Sequence, residues 1–503
     1  MRLFKIGTLL SLVAYQSFAL ADVNGYFNSI KTNPSALYSF LKAMPKGGEL
    51  HYHLAGGAYP ETMLDLAEAG NYCLDKKTFI LSRTVEDCSG VKASELKTLY
   101  PSLYADTIRA WSMKNFVANQ ESNHDHFFAS FYKFMPIVFD YRPELLAEIM
   151  QRAANQHELY LEIMILPDNG ESISFAENSI TAKNFPQVQK KLLADKAFQD
   201  NIQHSVDEAS RILEKARQNL DCDKKAGQEV CKLRVKFQYY TLREQSLEKV
   251  FAQALHGFAA ATRSKDLVGV NLVQAEDGII SLRDYRKQME VFDYLHKTYP
   301  GVHIALHAGE LAPADVTPED LGFHIHDAIK TGHADRIGHG TDISFENNAE
   351  KILNDMAKNN IAVEINLISN KTLLHVSGRS HPLNTYLAHK VPVVLSTDDE
   401  GILRTDLTRQ YVEAVVKHGV DYPTLKKINR NALTYSFLPG ESIWANADKA
   451  IPVKACQNFK SQSCLELAKT SEKAELQLRL ENKLADFEKS YTNPSWSIRT
   501  SQA

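Results

Sequence analysis

Val391-Pro392-Val393-Val394-Leu395 runs without interruption into Ser396-Thr397-Asp398-Asp399. A short continuous apolar run suits a strand covered on both faces of a parallel sheet. The acidic pair directly after it suits the rim where such sheets carry their chemistry. Seven other β-rich segments recur before it, at 49–54, 159–166, 233–242, 267–273, 303–307, 336–339 and 362–367, mostly separated by helix-length stretches. Strands alternating with helices imply an α/β fold, and eight units predict a closed (β/α)8, TIM-like barrel.

Two stretches exceed what a barrel needs. Residues 55–158 form a long insertion after the first strand, and it carries an aromatic helix around Phe127, Phe131 and Phe134, which share one face. That stripe reads as core, with a hydrophobic lid over a pocket as the alternative. From about 441 to 503 a helical extension places Leu476, Leu480, Leu484 and Phe487 on one face, as expected of a helix docked on the barrel. No internal repeat or low-complexity segment appears.

The composition is that of a soluble globular protein, with 44% hydrophobic and 23% charged residues and 57 basic against 61 acidic side chains. A net charge of −4 excludes a basic field for nucleic acid. Residues 1–21 read as an export signal: Arg2 and Lys5, an apolar run from Ile6 to Ala14, then Ala19-Leu20-Ala21 before Asp22. The domain reading is therefore a signal peptide at 1–21 and one barrel domain at 22–503. The protein is expected in a periplasm or outside the cell, without stable membrane insertion once the signal is removed. The cysteines agree. Cys73 with Cys88, Cys222 with Cys231 and Cys456 with Cys464 form three local pairs. None has zinc-site spacing, so disulfides are the expected state in an oxidising compartment.

The chemistry-bearing residues fall at the ends of the proposed strands. In His51-Tyr52-His53 the imidazoles lie two apart, so on a strand both face the barrel mouth. His307-Ala308-Gly309-Glu310, Ile337-Gly338-His339-Gly340 and Asp398-Asp399 follow, with Glu364-Ile365-Asn366 in support. Three histidines with a carboxylate suit a catalytic divalent metal that keeps one position for water. Such a metal brings the water's pKa towards ~7, and Glu310 stands ready to exchange protons with a substrate. A second pair, His324-Ile325-His326, reads as helix, where residues two apart diverge, and is rejected as a metal pair.

Together these motifs, with Arg336 and Arg430-Asn431-Ala432-Leu433, resemble the adenosine deaminase family of the amidohydrolase superfamily, in its exported bacterial-type or growth-factor-like branch. The resemblance implies one Zn2+ per chain on His51, His53, His307 and Asp398. It implies Glu310 protonating the purine N1, His339 orienting and deprotonating the water, and Asp399 bonding N7. Phe127 and Phe131 would flank the nucleoside pocket, with Gln274 at the purine N3. The implied reaction converts adenosine, or 2′-deoxyadenosine, to inosine and ammonia.

Two positions depart from the family pattern. Ala55 stands where the family carries an aspartate for the ribose 5′-hydroxyl, and Gln274 replaces a glycine, its side chain expected to crowd the site. Alternatives stay open: a deaminase of another adenine-containing compound, a barrel hydrolase of amides or phosphoesters, or a secreted nucleoside-binding, growth-factor-like protein. The zinc deaminases of the other fold are excluded, because the chain has no Pro-Cys-x-x-Cys.

Overall fold

The computed structural model describes residues 23–83 and 87–491; the proposed signal peptide lies outside them. Eight parallel strands make the barrel: β1 (Glu49–His53), β2 (Tyr160–Ile165), β3 (Arg234–Leu242), β4 (Leu267–Val273), β5 (His303–Ala308), β6 (Arg336–His339), β7 (Ala362–Ile365) and β8 (Val393–Leu395). They follow one another in sequence order around the sheet. The ring closes just beyond β8, where the His53 N–H donates to the Asp398 carbonyl at 3.1 Å and the Asp398 N–H to the His51 carbonyl at 3.3 Å.

All eight expected strands are present, with shifted ends. β8 begins only at Val393, because Pro392 has no N–H to give a ladder. β7 stops at Ile365, since Leu367 already opens the helix Leu367–Leu373.

The insertion after β1 holds a small antiparallel sheet, with Tyr72–Leu74 between Leu81–Arg83 and Val91–Lys92, and the helix Asn123–Asp140. Ser122 caps that helix, its Oγ accepting from the Asp125 N–H at 2.9 Å. Two further bonds lay its first turn across the barrel mouth. Asn123 Nδ2 donates to the Thr372 carbonyl, after β7, at 2.8 Å, and His124 Nε2 lies 3.0 Å from Asp277 Oδ1, after β4.

The C-terminal helix Glu472–Lys489 docks as the apolar stripe predicts, burying Leu476, Leu480 and Leu484 in the main core. Arg430 meets Glu481 with two bonds of 2.7 Å on that seam. A hairpin of Trp444–Asn446 and Ile451–Pro452 precedes it, an element absent from the sequence expectation. The three disulfides, Cys73–Cys88, Cys222–Cys231 and Cys456–Cys464, join the expected pairs, with Cα separations of 5.4, 5.3 and 4.6 Å. Among the described residues, no helix is long and apolar enough to cross a membrane.

Candidate metal and catalytic centre

The strand ends bring His51, His53, His307 and Asp398 together, with one ligand-type atom from each lying within 4.8 Å of all the others. Backbone geometry makes this convergence possible. His339 and Asp398 adopt φ of 67° and 68°, the left-handed region that non-glycine residues rarely occupy. Such strain persists where the surrounding structure over-determines it, and it clusters at functional sites. Gly338 is required beside them, because a Cβ there would sit 2.7 Å from the His51 ring.

The imidazoles are held from behind. His51 Nδ1 faces Glu364 Oε2 at 2.8 Å, and His307 Nδ1 faces Asn271 Oδ1 at 2.9 Å. Each Nδ1 therefore carries its ring's proton, which aims the Nε2 lone pairs of both rings into one space. There His53 Nε2 and His307 Nε2 stand 3.2 Å apart, and His51 Nε2 is buried without a hydrogen-bond partner among the described residues. These close-set nitrogens, with Asp398 Oδ1 3.3 Å from His51 Nε2 and from His53 Nε2, form a donor set for a cation. The carboxylates draw positive charge to the same point: although burial opposes it, Asp398 and Glu364 raise the affinity of His51 for a proton, whose place a metal would take. The donor set of three imidazoles and one carboxylate fits a divalent transition metal.

Both supports trace back to one residue that the sequence reading missed. Glu162, on β2, accepts at Oε1 from Arg336 and, at 2.8 Å, from Gln238 Nε2. Arg336 Nε continues to Glu364 Oε1 at 2.5 Å and so to His51. Gln238 Oε1 accepts from Asn271 Nδ2 at 2.9 Å, which leads to His307. This network is fully buried and connected, the condition under which buried polar groups specify one arrangement. Ser369, whose Oγ donates to Asp398 Oδ2 at 2.7 Å, was also missed. Neither residue belongs to a short motif. Asn271 and Glu276 lie on either side of Gln274, but nothing in the sequence assigns their partners.

Glu310 and His339 face the same space, with His339 Nε2 3.6 Å from Glu310 Oε1 and 3.9 Å from Asp398 Oδ2. Burial, reinforced by the Asp398 charge, raises Glu310 to about 8, so it holds a proton at neutral pH. Burial drops His339 to about 3 and keeps the ring neutral. Burial and its neighbour Asp398 push Asp399 well above the carboxylate range, and its Oδ1 is buried without a hydrogen-bond partner among the described residues. The Glu310 turn is clamped from below: Glu276 accepts from the Gly309 and Glu310 N–H groups at 3.0 and 2.9 Å.

The remaining predicted residues sit at the mouth. Phe127 is buried edge-on to Phe131, their ring centroids 5.3 Å apart, and Phe131 is half-buried. Gln274 has φ of 86°, and its side-chain oxygen is taken by the Glu244 N–H at 2.9 Å, which turns it towards the loop after β3. Ala55 lies in the single helical turn Leu54–Gly57, partly exposed. His324 and His326, set aside as ligands, lie on the helix His324–Lys330 and outside the metal-type cluster.

A parallel barrel with a histidine–carboxylate cage and a proton-holding glutamate defines a class, the metal-dependent amidohydrolase fold. Within it, the chain belongs to the adenosine deaminase family, whose sequence profile matches residues 97–450. His51 and His53 precede that stretch. The chain is 32% identical to an adenosine deaminase of Plasmodium gallinaceum over 178 residues, 35% of this chain and 45% of that protein. It is 34% identical to one of Aliivibrio fischeri over 174 residues, 34% of this chain and 46% of that protein. The chain thus spans just under half the length of these relatives.

Among solved structures, an adenine deaminase from Arthrobacter aurescens superimposes with a TM-score of 0.52 at 17% identity, covering 78% of this chain and 94% of that one. The N6-methyl-AMP deaminase of Arabidopsis thaliana gives 0.51 at 18%, covering 80% and 94%. These likenesses are of fold.

Proposed function

We propose that the protein is an exported zinc enzyme, one barrel domain over residues 22–503, that hydrolyses adenosine and 2′-deoxyadenosine to the corresponding inosine and ammonia. The observation that carries this reading is the meeting of the four-ligand cage with a proton-holding Glu310 and a neutral His339 on one face. His51, His53, His307 and Asp398 would hold the zinc. Bound there, zinc supplies an acidified water and leaves the protein's residues to steer the protons.

Glu310 gives its proton to the purine N1, which draws electrons from C6 as the water oxygen adds there. His339 orients that water and takes its proton. In the structure His381 Nε2 donates to the Asn370 oxygen at 3.1 Å, and Asn370 Nδ2 donates to His339 Nδ1 at 2.9 Å. The free His339 Nε2 this step needs is therefore reached only when the Asn370 amide turns over. Asp399, kept protonated by its surroundings, donates to N7. As the C6–N bond breaks, the amino group takes the proton held on His339 and leaves as ammonia, while the C6 hydroxyl becomes the carbonyl and returns its proton to Glu310.

Ala55 favours a second substrate class on the same chemistry, adenine compounds altered at the sugar 5′ position. Alanine has no polar group to strand when the 5′-hydroxyl is missing. The structural relatives named for adenine and N6-methyl-AMP fit this breadth.

The test is a panel of adenosine, 2′-deoxyadenosine, 5′-deoxyadenosine, adenine and AMP, read by ammonia release and the change in purine absorbance. Adenosine turnover with a less than tenfold loss on 5′-deoxyadenosine is expected. Ammonia from none of the five would overturn the reading, and a loss of several hundredfold would reject the 5′-tolerant pocket.

A further inference from the structure

The barrel mouth is chemically lopsided. β1, β5, β6 and the turn after β8 supply all of His51, His53, His307, Glu310, His339, Asp398 and Asp399, whereas β2, β3 and β4 supply no member of the metal-type clusters. A substrate whose reacting carbon sits over the cage must lay its remaining part over the β2–β4 half.

In the middle of that half stands Tyr240. It pairs in register with Asn271, whose side chain lies inside the barrel on His307 and Gln238. Register partners on neighbouring parallel strands point to the same side. Gln238, two residues earlier on β3, also points inward, to the Leu50 carbonyl and Glu162. Tyr240 therefore faces the interior one layer nearer the mouth.

Its neighbour Tyr239 points outward, fully buried, with its hydroxyl 3.1 Å from Asp168 Oδ1 and 3.0 Å from Ser172 Oγ. Tyr240 differs on both counts. It is only partly buried, and its hydroxyl bonds no described residue. A tyrosine facing an enclosed space usually finds a partner for its hydroxyl. Burial raises Tyr240 to about 12, against the pull of Arg142 and with the charges of Asp168 and Asp399 adding to the rise. It stays a neutral phenol, both donor and acceptor.

We infer that Tyr240 is a specificity residue that hydrogen-bonds a sugar hydroxyl of the substrate from the β3 side of the mouth. The inference rests on the deaminase reading above. The partner class follows from the geometry: the purine's reacting edge faces Glu310 and Asp399, so the sugar is what reaches β3, and its hydroxyls match a phenol's donor and acceptor.

The experiment compares the metal-loaded native enzyme with Tyr240→Phe on adenosine and its 2′-, 3′- and 5′-deoxy analogues, as a double-mutant cycle. Metal content and the thermal midpoint report that the variant is intact. The expected result is about a tenfold loss of kcat/KM on adenosine, mostly in KM, with native and variant within twofold of each other on the one analogue that lacks the bonded hydroxyl. A variant within twofold of native on adenosine overturns the inference. So does an equal loss on all four substrates, which would make Tyr240 structural. If the native enzyme releases no ammonia from any of the four, the deaminase reading itself fails, and this inference with it.

Discussion

Of the chain's three His-x-His triplets, the two that begin at His51 and His324 have first members built alike. His51 Nδ1 meets the buried Glu364 at 2.8 Å, and His324 Nδ1 meets the buried Glu276 at 2.6 Å. In both, Nε2 is buried without a hydrogen-bond partner among the described residues. The second members differ. On β1 the strand period of two aims His53 into the same space as His51, where His307 and Asp398 wait. On the helix His324–Lys330 the same spacing turns His326 away, half-exposed beside Asp327, while His324 stacks on Tyr285 with ring centroids 3.8 Å apart. Identical spacing yields a metal-type cage on a strand and a packing post on a helix. What a motif does depends on the period of the element that carries it.

The contrast breaks hardest at His51. His51→Ala should cost more than 10⁴ in turnover with metal content reduced, because it removes a ligand and leaves Glu364 facing an empty space. A fully active, metal-free variant would refute the cage. Glu310→Gln comes next. It keeps the shape but loses the proton, and a loss of about 10²–10⁴ in kcat is expected with metal and purine binding retained. Unchanged turnover would make Glu310 structural.

Glu162→Gln should weaken metal binding by about 10–100-fold, the scale for groups that orient ligands from behind, as measured by competition with a chelating dye. An unchanged metal affinity would show that Arg336 and Gln238 hold their places without it. His324→Ala should leave metal content intact. It should lower kcat by about tenfold and reduce the thermal midpoint, since Glu276 would lose the partner that steadies the Gly309–Glu310 turn. Loss of metal in this variant would erase the distinction between the two triplets. His326→Ala should change nothing measurable, staying within ±0.5 kcal/mol in stability and twofold in turnover.

Local pattern made much of the molecule legible. Eight β-rich segments marked the strands, several of them continuous apolar runs such as Val391–Leu395, because a parallel barrel buries both faces of its strands. His51, His53, His307, Glu310, His339, Asp398 and Asp399 were legible for the same reason: each sits at a strand end, where position within the element sets direction. The cysteine pairs were legible through proximity, their partners being near neighbours along the chain.

Tertiary structure alone decided the rest. Glu162 joins Arg336 and Gln238 across 174 and 76 residues of sequence, and Ser369 reaches Asp398 from another element. No periodicity encodes such pairings, since they arise where strands that are distant in the chain close into one ring. The orientation of Gln274 belongs here too: only the fold brings the Glu244 N–H within 2.9 Å to hold its side chain. The sequence by itself determined which elements form and which side chains stand at their ends, because those follow from the burial and period of short segments. Which buried polar group meets which other was decided only by barrel closure, because a hydrogen bond depends on distance in space and is indifferent to separation along the chain.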